Sequence, residues 1–124
     1  MADLAVTPTT FIPKKVDAAQ LPAVANIAAL YTTPAGTATK IVSVILVNDT
    51  TTPVTATLQI NPNGGAAAAD DTIILCKGLS VPSDGAPIYL LVKDQYLNAT
   101  DTIEGYASAA DQVTYHISIV EESA

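Results

Sequence analysis

The stretch that most constrains the fold is residues 40–48, KIVSVILVN, which has the β-branched composition of a strand. Alternate residues of a strand point to opposite faces, so the two faces hold Ile41, Ser43, Ile45 and Val47, and Val42, Val44, Leu46 and Asn48. A strand with one wet face alternates apolar and polar residues, whereas this one is apolar on both faces. We therefore expect another sheet, an arm or another subunit to cover its second face.

Turn residues recur about every ten positions after residue 27, a spacing typical of an all-β sandwich or barrel. Seven strands are predicted between the turns, at residues 27–32, 39–48, 54–60, 72–77, 88–92, 102–108 and 113–120. The last two are expected to form a hairpin, and no helical crossover is predicted. The pattern indicates an antiparallel β-sandwich of seven to eight strands. Because the chain has one Cys and no Trp, the immunoglobulin signature is absent, and Ig-like and jelly-roll-like arrangements both stay open.

The first 26 residues differ from the rest in composition and pattern, because they hold three prolines and no sustained periodicity. They predict an extended N-terminal arm, residues 1–26, in front of a sandwich domain, residues 27–124. Residues 16–21 are the one place where a helical turn is expected. The alternative is a floppy terminus. The arm residues predicted to contact a partner are Phe11, Ile12, Lys14 and Lys15.

The charge balance argues against nucleic acid as a partner. The chain has five lysines, no arginine and twelve acidic residues, for a formal net charge of −7. A nucleic-acid binder shows a basic stripe and uses arginine to read phosphates and guanine. No apolar run approaches the roughly 18 residues of a membrane span, and no secretory leader is evident. We expect a protein made in the cytoplasm with no membrane partner.

No residue pattern indicates catalysis, a metal site or a cofactor. His116 is the one histidine, and no Gly-x-Ser-x-Gly elbow accompanies it. The nearest candidates for a calcium site, which lack the spacing of a binding loop, are Asp70, Asp71, Asp101 and Glu104. Cys76 lies in an apolar run and is expected to be a small buried side chain. The prediction is a protein that is not an enzyme.

Tyrosines outnumber the other aromatic residues, with five Tyr, one Phe and no Trp. Tyrosine is enriched at interfaces because its ring is apolar and its hydroxyl can stay in water. Tyr106 alternates with Gly105 and Ala107, so it is expected to point away from the core. Tyr96 and Tyr106 are predicted interface residues, and Tyr89 and Tyr115 are predicted core residues.

Three segments of the chain carry a resemblance to a known group of proteins. They are a turn at residues 30–36 (LYTTPAG), a strand at residues 42–48 (VSVILVN) and a hairpin-like stretch at residues 98–118. Together, over residues 27–120, they resemble a family of small bacteriophage virion proteins. The chain departs from that pattern at Ala99, Thr100 and Asp101, where the family has glycine before the aspartate.

The resemblance implies a β-sandwich attached to a phage particle, with no catalytic residues. The expected function is that of a capsid decoration or cement protein in the virion, bound to the major capsid protein or other virion proteins as a homotrimer or higher ring. A tail, baseplate or fibre component is the alternative, followed by a carbohydrate-binding sandwich. In such an assembly, the apolar residues would be covered partly by the packing of two sheets and partly by an arm lying over a neighbouring subunit.

Overall fold

The computed structural model describes residues 10–16, 18–62, 73–90 and 95–123. Within these ranges the backbone forms ten strands and one short 3₁₀ helix, Val24–Asn26, with no α-helix. The strands in chain order are β1 (Thr10–Lys15), β2 (Ala19–Gln20), β3 (Ala28–Thr32), β4 (Thr37–Asn48), β5 (Val54–Asn61), β6 (Ile73–Val81), β7 (Ile88–Leu90), β8 (Tyr96–Leu97), β9 (Thr102–Ala107) and β10 (Val113–Ser123).

The strands form two antiparallel sheets. The first has the order β1-β10-β4-β7, with the short β2 paired to β10 and the short β8 paired to β4. The second has the order β3-β9-β5-β6. Without the two short strands, eight strands remain, four in each sheet, and the first of them pairs with the last. This order is that of a jelly roll. It confirms the predicted β-sandwich and selects the jelly-roll arrangement.

The core lies between the sheets and is built by the inward-facing side chains of the long strands. On β10, Val113, Tyr115, Ile117 and Ile119 are buried, and the residues between them are half-exposed. Apolar side chains from β5 and β9 meet them from the second sheet, among them Leu58, Ile60 and Ile103, each at most 2% exposed. Burial of these side chains is the main favourable contribution to folding.

The predicted hairpin between the last two strands is wrong. β9 lies between β3 and β5 in the second sheet, whereas β10 lies between β1 and β4 in the first. The short turn between them therefore carries the chain from one sheet to the other. Turn residues mark where a strand ends, but they do not say which strand it pairs with, so this error follows from reading adjacency as pairing.

Part of the predicted arm belongs to the sandwich. β1 pairs with β10 from Thr10↔Ser123 to Lys15↔Ser118, and β2 continues along the same edge of β10. Val16 and Leu21, 6% and 0% exposed, enter the core and hold this segment. The helical turn predicted at residues 16–21 is wrong over the described positions, because they form no helix and Ala19–Gln20 is the strand β2. Residues 1–9 and 17 lie outside the described part.

A β-bulge in β4 corrects the predicted faces of that strand. Ser118 pairs with Ser43 and the next residue, Ile119, pairs with Ile41, so Val42 is the extra residue. The bulge puts Ile41 on the same buried face as Val44 and Leu46, whereas the sequence placed it on the opposite face. On the outer face, Val42 is 54% exposed and Ile45 and Val47 are half-buried. Within the described residues, the cover expected over this face is therefore incomplete.

Candidate docking face

The outer side of the first sheet, turned away from the second sheet, is the strongest candidate for a functional surface, and we call it the docking face. Residues directly opposite each other on paired strands share a face. The pairs Phe11↔Glu122, Pro13↔Val120 and Lys15↔Ser118 bring β1 and β10 onto it. The pairs Val120↔Lys40, His116↔Ile45, Ile45↔Tyr89 and Lys40↔Tyr96 extend it across β4 to β7 and β8.

Large apolar side chains concentrate on this face. Phe11 is 64% exposed, Val42 54%, Tyr89 67% and Tyr96 60%. The other exposed large apolar residues of the described part lie elsewhere and apart from one another: Ile12, Val24 and Ile74. Single exposed apolar residues are ordinary, but four of the seven exposed large apolar residues of the described part share this one face, which favours it as a binding surface.

The face carries few charges for a chain of net charge −7. Among the described residues, its charged members are Lys15, Lys40 and Glu122, and the Lys40 ammonium lies 5.9 Å from the centre of the Tyr96 ring. A shallow groove of about 410 Å³ crosses the face beside Pro13, Val42 and Val120. Depletion of charge together with exposed aromatic rings is the composition of the centre of a protein interface.

The six residues predicted to contact partners do not all meet. Phe11, Lys15 and Tyr96 lie on the docking face. Ile12 and Lys14 point to the other side of β1, and Tyr106 is half-buried on the outer side of the second sheet.

Two tyrosines and the bulged valine show where the sequence was and was not informative. Tyr115 is buried as predicted, but Tyr89, predicted as core, is 67% exposed on the docking face. Tyr89 was missed because residues 88–92 are apolar throughout, so no alternation marks its face. Val42 was missed because a bulge leaves no mark in the sequence.

A polar cluster joins the two sheets beneath β1. The Tyr31 hydroxyl on β3 donates to Glu121 Oε2 on β10 at 2.5 Å, and it lies 2.9 Å from Thr39 Oγ1 on β4. Lys14 Nζ lies 3.3 Å from Glu121 Oε1. Burial raises the pKa of Tyr31 to about 12, and the hydrogen bond to Glu121 adds to the rise. Because its polar groups are paired with one another, we interpret the cluster as a structural link between the sheets.

A second polar cluster is buried on the outer side of the second sheet. Glu104, 1% exposed, accepts hydrogen bonds from Gln59 Nε2 at 2.8 Å and Asn61 Nδ2 at 3.0 Å. Asp101 Oδ2 accepts the Asn98 backbone N–H at 2.9 Å. The cation site weighed from the sequence would need Asp70 and Asp71 as well, and both lie outside the described residues. Over the described ranges, no three His, Cys, Asp or Glu side chains are grouped so as to hold a metal ion.

The remaining candidates for chemistry are isolated. His116 lies on the docking face between Thr114 and Ser118, half-exposed. Cys76 is half-buried against the core, and burial raises the pKa of its thiol, which disfavours the reactive thiolate. Among the described residues there is no helix long and apolar enough to cross a membrane. Comparison with protein-family models, curated proteins and solved structures finds no match to this chain.

Proposed function

We propose that this chain is a non-enzymatic structural protein of a bacteriophage particle that decorates the head shell and stabilises it. The observation that carries the proposal is the docking face, where Phe11, Val42, Tyr89 and Tyr96 are more than half exposed together. A protein in free solution gains nothing from exposing such a group, whereas a protein embedded in an assembly gains the free energy of covering it.

Two further points support a virion role. The jelly roll recurs in viral capsid proteins, as it does in lectins, and this is an argument by fold analogy. The second point is the resemblance of residues 27–120 to small virion proteins. The partners in this proposal are the major capsid protein or other virion proteins and further copies of this chain, in a trimer or higher ring.

The proposed mechanism is stabilisation by selective binding. A protein that binds the assembled shell and not its separated subunits raises shell stability by mass action. Covering apolar surface contributes roughly 25 cal/mol per Å² before the costs of association are subtracted. No reacting group is required, since the stabilisation comes from contact alone.

The first experiment is a copy count. Quantitative mass spectrometry of purified particles, with the major capsid protein as internal standard, gives the ratio of the two chains. We expect a ratio near one or a simple fraction such as a third. A ratio of a few per cent would instead favour the tail, baseplate or fibre alternative. Absence of the chain from particles would overturn the virion proposal.

Carbohydrate binding is a second candidate, favoured by the two exposed tyrosine rings, Tyr89 and Tyr96, on one face. Sugars stack on exposed aromatic rings. A glycan array probed with the purified protein tests this function, with Tyr89→Ala as the loss-of-binding variant and Tyr106→Ala, on the other sheet, as its control. Glycan binding that Tyr89→Ala removes and Tyr106→Ala retains would replace the shell-binding proposal with a receptor-binding one.

A further inference from the structure

We propose that the docking face binds a second copy of this chain, face to face, about a two-fold axis that crosses the strands. Each β10 then lies antiparallel over the β10 of the partner copy. The inference names a second copy of this chain as what covers the docking face, so binding to the shell would use surfaces that the pair leaves exposed. Self-association is measured on the purified chain, so it is tested separately from the virion role.

The size of the face fits such a pair. The six strands of this sheet hold 36 residues in all, which at about 3.3 Å per residue and about 4.8 Å between strands give a plane on the order of 570 Å². A stable interface buries about 800 Å² on each partner. The face as a whole therefore supplies most of what one isologous contact needs, and a smaller ligand would leave much of it exposed.

The shape of the face fits as well. Two sheets with the same twist pack about 10 Å apart with their strands within about 30° of each other. An identical copy has that same twist. Val42 and Val120 flank the shallow groove near the middle of the face and would form the apolar centre of the contact.

Charge selects the register of the pair. His116 and Glu122 both point outward from β10, six residues apart, and within the described chain neither has a hydrogen-bond or ion-pair partner. A two-fold axis through position 119 of β10 places Glu122 of each copy opposite the partner's His116, so that each imidazole N–H can donate to a carboxylate.

The same register keeps the lysines apart. An axis through position 119 exchanges positions 118 and 120 of β10, whose neighbours on β1 are Lys15 and Pro13. Lys15 of each copy then faces the partner's Pro13, and no two like charges meet. A two-fold contact closes as a pair, so the trimer expected from the sequence would need a different surface.

Sedimentation equilibrium of the full chain over a concentration series tests the contact. We expect the wild type to form pairs and Val42→Asp to remain a single copy, because the substitution puts a carboxylate at the apolar centre. Val24→Asp is the matched control, since Val24 is 49% exposed and lies off the face. Thermal melts of all three show whether the fold is kept. A wild type that stays single at every concentration, or equal loss of pairing in both variants, would overturn the proposal.

Charge exchange tests the register. Glu122→Lys should weaken pairing on the order of tenfold, the effect of about 1.4 kcal/mol. Adding His116→Glu should restore the affinity, because a carboxylate then faces the introduced ammonium at the same two positions. A double variant that pairs more weakly than Glu122→Lys would contradict the proposed register, even if Val42→Asp abolishes pairing.

Discussion

Gly105 on β9 is a position where the core leaves no room for a side chain. A Cβ placed there would lie 2.6 Å from Leu58 Cδ2 and 3.1 Å from Leu21 Cδ2. We expect Gly105→Ala to lower the free energy of unfolding by about 1–3 kcal/mol, the usual cost of overpacking. Urea denaturation measures the change. A Leu58→Ala background removes the shortest of these contacts and should lower the cost, so an equal cost in both backgrounds would show that the clash with Leu58 is not the cause.

Tyr31 should make stability depend on alkaline pH. Its pKa is raised from 10.0 to about 12 in the folded chain, so the folded state holds its proton where the unfolded state has lost it. This contribution is complete below pH 10 and is lost as the pH rises towards about 12. We expect Tyr31→Phe to flatten the fall in unfolding free energy across that window. An unchanged slope in the variant would assign the pH dependence to other groups.

Removal of the buried Glu104 carboxylate should lower the free energy of unfolding through lost hydrogen bonds. Truncation to Ala takes an acceptor from the Gln59 and Asn61 amides in a buried setting. We expect Glu104→Ala to destabilise by about 2–4 kcal/mol, the scale for leaving buried donors without an acceptor. Glu104→Gln, which keeps the shape and one acceptor oxygen, should cost less in the same denaturation experiment. Equal costs would place the effect in packing and not in hydrogen bonding.

At the scale of elements, β1 forms an edge of the first sheet, and its residues protect that edge from pairing with another strand. The Val16 N–H donates to Ile117 O directly opposite, so the even-numbered residues of β1 bond to β10 and the odd-numbered ones turn their backbone outward. Pro13 is one of the odd-numbered residues and has no N–H to offer. Proline and lysine on an edge prevent another strand from adding to it.

Replacing that proline should expose the edge. We expect Pro13→Val to form assemblies larger than pairs on storage, detected by light scattering, because valine supplies the missing donor and favours strands. Pro53→Val, in the exposed loop between β4 and β5, is the control and should behave like the wild type. Equal aggregation of the two variants would show that general surface apolarity is responsible.

Sequence analysis located β3, β5 and β9 to within one residue at each end. β5 and β10 alternate cleanly, and both appear within three residues of their predicted ends. β8 was missed because two residues are too few to show a period. The jelly-roll order could not be predicted, since pairing between β1 and β10 joins segments about a hundred residues apart and no local signal encodes such a pairing.

At the scale of the whole molecule, the structure brings three of the six predicted partner-binding residues onto one face. Phe11, Lys15 and Tyr96 were expected at an interface and share the docking face, whereas Ile12, Lys14 and Tyr106 lie elsewhere. Composition marks which side chains suit an interface. Which of them share a face depends on strand register, and register is set by the bulge in β4 and the passage of β1 along β10.

The position of β10 has a consequence for how the chain acquires its structure. β10 is the last strand described, yet it lies in the interior of the first sheet, with β1 and β2 on one side and β4 on the other. During synthesis on the ribosome, β1 and β4 have no strand between them until β10 has left the exit tunnel. The first sheet therefore closes late, as expected for a slow folder rich in long-range contacts, and its strand edges stay unpaired until then.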